Sequence, residues 1–146
     1  MAEADDLEAL VIPSSVKLAG AMLMGTGACI GVVGLQALGL GTTGLLSLVG
    51  PLGVMLSGGC MYSGFGVVRG RARFAQAGLG LGAVTAVFAL AWAVFAFLNG
   101  VLLPMSLLAV PLSITATTLV AVGMKAVKKI DEARERLRTQ GLDAGL

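Results

Sequence analysis

Two long stretches of the chain, Leu18 to Val68 and Phe74 to Met124, contain no Asp, Glu, Lys, Arg or His. Each is about twice the ~20 apolar residues that carry a helix once across a bilayer. Turn-forming residues divide each stretch in two: Gln36, Gly39, Gly41, Thr42, Thr43 and Gly44 mark one reversal, and Asn99, Gly100 and Pro104 mark the other. No period-two alternation is present, so a membrane β-barrel does not fit. The pattern predicts an all-α integral membrane protein with four transmembrane helices, at about residues 16–38, 45–68, 74–98 and 102–124, arranged as two tandem hairpins.

Outside the spans the chain changes character. Residues 1–15 form an acidic segment, in which Leu7, Leu10 and Val11 stand at helical spacing beside Glu3, Asp5, Asp6 and Glu8. That pattern is open to two readings, a short amphipathic turn at the membrane surface or a frayed terminus. The acidic start and the span-length first apolar segment predict a retained helix rather than a secretory signal. Pro13 ends what precedes it, and Ser14 or Ser15 is expected to cap the first span. Residues 125–146 form a basic tail in which Val127, Ile130, Ala133 and Leu137 keep helical spacing, with Lys128 four residues before Glu132 and Glu132 four before Arg136. The fourth helix is therefore expected to continue beyond Met124 until Gly141. Its apolar stripe is open to two uses, docking a cytoplasmic protein along Lys125 to Arg138 or resting on lipid headgroups.

Charge then sets the orientation. Only 12% of residues are charged and 57% are hydrophobic, against roughly 25% charged in a soluble domain. Arg69, Arg71 and Arg73 lie between spans two and three, Lys125, Lys128 and Lys129 follow span four, and Lys17 precedes span one; the two opposite turns have no Lys or Arg. Basic residues are retained on the cytoplasmic side, so both termini and the arginine loop are expected in the cytoplasm, with the protein in the cell membrane (the inner membrane, if bacterial). The net charge of +2 is a topology signal and does not point to a nucleic-acid partner.

Small residues recur on one face of each span. Span one has Gly20, Met24, Gly27, Gly31, Gly34 and Leu38; span two has Gly53, Ser57, Cys60 and Gly64, with Gly59 and Ser63 as a neighbouring pair. Span three has Gly78, Gly82, Thr85, Ala89, Trp92 and Ala96, and span four has the hydroxyl-rich stripe Ser106, Val110, Ser113, Thr117 and Val120. Steps of three and four keep these residues on one face of a helix in a left-handed bundle, where small side chains let backbones approach. Tight intramolecular packing is expected, with self-association through the seam of span one as the alternative. Pro111 should kink span four and free the carbonyl of Leu107, leaving nearby hydroxyls either to satisfy backbone groups or to line a polar path through Ser113 and Thr117. Trp92, Phe95 and Phe97 are expected at the outer interface as an aromatic belt. Gln36 and Asn99 are assigned to capping and turn formation, and Cys29 and Cys60 to buried free thiols.

Candidate chemistry is sparse. The chain has no His, no Cys-x-x-Cys pair and no nucleophile with a nearby base. Gly78-Leu79-Gly80-Leu81-Gly82 lacks the strand and polar setting of a phosphate-binding loop. Neither a catalytic site, a metal site nor a cofactor is expected. The Gly-rich first helix and basic loop resemble the proteolipid ring subunits of rotary ATPases, but their ion-binding carboxylate has no counterpart here. Four short spans in a small chain resemble the small multidrug-resistance exporters, whose coupling glutamate in the first helix is likewise missing; ion coupling needs such a group in the membrane. No family is assigned. The expected function is a non-enzymatic structural or scaffolding subunit in a homo- or hetero-oligomeric membrane complex. Its partners would be the bilayer, other membrane subunits or itself, and a cytoplasmic protein at the tail. A passive pore for small uncharged solutes and a holin- or toxin-like membrane-perturbing protein are the alternatives. A reporter fused after Leu146 is expected to be active only in the cytoplasm; activity on the other side alone would reverse the assigned topology.

Overall fold

The computed structural model describes residues 10–39, 47–100 and 104–139. Four helices account for most of them: α1 (Ser14–Gly39), α2 (Val49–Val68), α3 (Ala72–Leu98) and α4 (Pro104–Thr139). All four are long and apolar enough to cross a membrane, and a helix is the form in which an isolated span satisfies its own backbone in lipid. The chain is a multi-pass helical membrane protein.

The helix ends depart from the sequence expectation in instructive ways. At the start of α1 the carbonyl of Pro13 accepts from the N–H groups of Val16 (3.0 Å) and Lys17 (3.2 Å). Ser14 and Ser15 therefore lie inside the first turn, and neither is the cap. A short 3₁₀ turn at Ser47 and Leu48 precedes α2, so this helix begins later than residue 45. Leu45, the reversal at Gly41 to Gly44, the start at Leu102, the acidic residues up to Glu8 and Gly141 lie outside the described residues. At the end of α3, Asn99 donates from its side chain to the carbonyl of Phe95 (2.8 Å). Gly100, at φ +69°, then donates to the carbonyl of Phe97 (3.1 Å). Helix α4 continues through Pro111 for 36 residues, ~54 Å at 1.5 Å per residue. That exceeds the ~30 Å hydrocarbon core, so its last turns stand outside the bilayer.

The helices form a ring in which each packs on its two neighbours: α1 on α2 and α4, and α3 on α2 and α4, with little contact across the diagonals. Facing pairs run antiparallel, since Gly20 meets Gly64 and Gly34 meets Gly50 and Gly53. Four buried clusters are stacked along the axis. From the charged end they centre on Val16 with Val67 and Val127, then Leu23 with Cys60, Ile30 with Ala89, and Val33 with Trp92.

Glycine is used in two ways. Between α1 and α2 the backbones themselves meet: a Cβ on Gly20 would stand 2.7 Å from the Gly64 carbonyl oxygen, one on Gly27 2.8 Å from that of Ser57, and one on Gly34 2.9 Å from that of Gly50. Gly53 and Gly64 are equally confined, by Gly34 Cα and the Gly20 carbonyl, and Gly31 faces the Ser57 hydroxyl. On α3 the glycines are instead sockets. Gly78 receives Leu23 of α1, and Gly82 receives the Thr117 side chain of α4. The seam of α1 is thus occupied by α2 of the same chain.

Trp92 is not a belt residue. It is 4% exposed, clusters with Val33 and Ala37 of α1 and stacks on Phe95 at 5.3 Å. Its position on the three-four stripe of α3, with Ala89 before and Ala96 after, outweighs the interfacial preference of indole. Phe97, off that stripe, is exposed.

Gly34→Ala is expected to lower the stability of detergent-solubilised protein by about 1–3 kcal/mol through overpacking against fixed backbone. Gly58→Ala, where a Cβ meets no atom within 4 Å, should be neutral or stabilise by up to ~1 kcal/mol through helix propensity. Thermal unfolding distinguishes them, and equal losses would refute the close contact.

Candidate functional site at the charged end of the bundle

All charged side chains among the described residues gather at one end, where α2 turns into α3 and α4 leaves the membrane. The turn is built on Gly70. Its φ of +68° lets the chain close α2 with paired bonds, Gly70 N–H to the Val67 carbonyl (2.8 Å) and Arg71 N–H to the Gly66 carbonyl (3.1 Å). A Cβ at this position would also stand 3.2 Å from Ile130 of α4 and 3.6 Å from Ile12. Gly70 therefore meets both a conformational and a spatial demand.

The turn leaves α3 without a cap of its own. Arg71 is the N-cap residue and makes no capping bond, since a guanidinium has no acceptor. Asp131 on α4 supplies one across the bundle, its Oδ2 accepting from the Ala72 N–H at 3.3 Å. One turn further on, Arg134 Nη2 donates to the Arg69 carbonyl at 3.0 Å. A carboxylate thus meets the positive end of α3 and a guanidinium the negative end of α2, each placed favourably for the helix dipole. Asp131 and Arg134 were not singled out by sequence. Their spacing on α4, beside the apolar stripe through Ile130, was the available signal.

The predicted site residues divide into three groups. Arg69, Arg71, Arg73, Lys125, Lys128 and Lys129 are all exposed at this end, and the Arg69 guanidinium lies 4.2 Å above the Phe65 ring. The apolar stripe of the α4 extension is not free: Val127, Ile130, Ala133 and Leu137 are all buried. Val127 packs with Val16 and Val67. Exposed on the extension are Lys128, Lys129, Glu132, Glu135 and Arg136.

The third group is the hydroxyls within the bundle. Ser113 donates to the Val110 carbonyl (2.9 Å), Thr115 to that of Pro111 (2.8 Å), and Thr117 to that of Ser113 (2.7 Å). These protons are committed to their own helix, and none of the three goes to the Leu107 carbonyl that Pro111 frees. Ser113 is fully buried. Cys60 and Thr85 pair at 3.3 Å between α2 and α3, and Thr26 binds back to Met22. At the opposite, uncharged end, Gln36 Oε1 and Trp92 Nε1 are buried without a hydrogen-bond partner.

Compared with known proteins, the chain matches no family model, no curated sequence and no solved structure. Function must therefore be argued from this geometry.

Asp131→Ala is expected to cost about 0.5–2 kcal/mol, as loss of an N-cap does, and to speed hydrogen exchange at Ala72. Glu132→Ala, at an exposed neighbouring position, should leave both unchanged. Undisturbed exchange at Ala72 in the Asp131 variant would remove the capping role.

Proposed function

We propose that the chain is a non-enzymatic structural subunit of a membrane complex, with its charged end in the cytoplasm. The observation that carries this is the division of labour along the bundle axis. Between the rims there is no Asp, Glu, Lys, Arg or His, and the hydroxyl protons of Ser113 and Thr117 are spent on backbone carbonyls. Side chains that could recognise a partner are concentrated at the charged end, on a turn held by Asp131 and Arg134. The Lys and Arg at that end support the cytoplasmic orientation.

The buried stripe changes how the tail would be used. A cytoplasmic partner would meet the exposed polar face around Lys128, Glu132, Glu135 and Arg136, because the apolar face is turned inward. Association with membrane subunits or further copies would use the outward faces of the helices, since the α1 glycines already pack on α2.

The test combines purification with flux. Cross-linking in native membranes should trap the chain with a second subunit, and reconstituted liposomes should stay impermeable to small neutral solutes. A solute flux abolished by Ser113→Trp in a variant that still folds would replace this proposal with a pore.

A further inference from the structure

The face of α2 turned away from the bundle carries Pro51, Met55, Gly58, Tyr62, Phe65 and Arg69 at alternating steps of four and three, all exposed. In a bilayer this face meets lipid, and its composition changes with depth. At the boundary, Arg69 lies over the Phe65 ring at 4.2 Å, so its charge is folded down onto the apolar face instead of extending into water. One turn deeper, Tyr62 is 69% exposed and stands edge-on to Phe74 of α3 at 5.1 Å. Deeper still, a Cβ on Gly58 would meet no atom within 4 Å, which leaves a notch in the surface. Gly58 and Arg69 stand eleven positions apart, ~17 Å along a helix and about half the ~30 Å hydrocarbon thickness.

Two further arginines stand beside the boundary. Arg71 and Arg73 are exposed and lie within four residues of Arg69, on the backbone that Asp131 and Arg134 tie down. Arginine matches phosphate oxygens with paired donors and is weakly hydrated enough to sit on an aromatic ring at an interface. The chain carries ten Lys and Arg against eight Asp and Glu. No acidic residue lies between Glu8 and Asp131, so the turn itself is purely cationic in sequence, and Asp131 is engaged at Ala72.

We propose that Arg69, with Arg71 and Arg73, binds the phosphate of an anionic phospholipid whose acyl chain lies along α2 over Phe65, Tyr62 and Gly58. An acidic protein segment would match the arginines alone. An anionic lipid matches both parts at once, the cationic boundary and the apolar, notched face that continues from it toward the bilayer midplane.

The experiment is native mass spectrometry of the full chain in mild detergent, given phosphatidylglycerol and phosphatidylcholine with identical acyl chains. Wild type should retain phosphatidylglycerol preferentially. Arg69→Gln and Arg73→Gln should each reduce that preference about fivefold, the effect of one arginine near an anionic surface. Lys128→Gln with Lys129→Gln should preserve it. Because the arginines are exposed, the variants should unfold at the wild-type temperature, and Arg71→Gln provides a separate variant. Equal retention of the two lipids by wild type, or loss only in the lysine variant, would overturn the proposal. Displacement by millimolar inorganic phosphate would replace the lipid with a free anion. A preference appearing only after deletion of residues 2–8 would assign the arginines to the chain's own acidic segment.

Discussion

The fold depends on how closely two backbones can approach where lipid replaces water. In a bilayer, lipid tails compete with apolar side chains on equal terms, so helices associate through packing and polar contact rather than through burial from water. Helices α1 and α2 meet at this limit, with Gly20, Gly27 and Gly34 set against the carbonyl oxygens of Gly64, Ser57 and Gly50. The rest of the bundle follows from that pair. Once α2 is fixed along α1, its far flank accepts α3 through Gly66 and Phe74, while α1 offers Val16 and Gly25 to Gly123 and Leu112 of α4. The remaining face of α3 closes the ring through Gly82 and Thr117.

Much of this was written plainly in the chain. Absence of charge over about fifty residues at a time fixes the existence of spans, because an uncharged stretch of that length has few other solutions. The three-four spacing of small residues located the inward face of α3 residue by residue from Gly78 to Ala96, every one of which is buried. Trp92 was legible in two ways at once, as a member of that stripe and as an interfacial aromatic. Packing decided, since an indole on the inward stripe has no route to the interface without turning the whole helix.

Less was legible where contacts join distant parts of the chain. A capping residue is sought within a few positions of the helix it caps, and Ser14 and Ser15 fit that habit, yet the acceptor is the carbonyl of Pro13. The cap of α3 comes from Asp131, 59 residues away, and no local pattern around Arg71 reveals it. Gly70 was the local clue that passed unnoticed. A lone glycine between Arg69 and Arg71 marks a left-handed turn, and with it the point at which α4 could approach. The apolar stripe from Val127 to Leu137 was likewise visible, but periodicity does not distinguish a surface waiting for a partner from one already covered by its own protein.

That long-range cap also sets an order of events. Ala72 leaves the ribosome 59 residues before Asp131, an interval of several seconds at 5–20 residues per second. Throughout it, the turn between the second and third helices has been synthesised but the groups that tie it down have not. The first pair of helices can close through glycines already made, whereas the arginine turn acquires its final anchorage only when the last helix is nearly complete. A nascent chain stalled before residue 131 would thus contain both uncharged stretches in full and still lack the bond that joins the end of the protein to its middle.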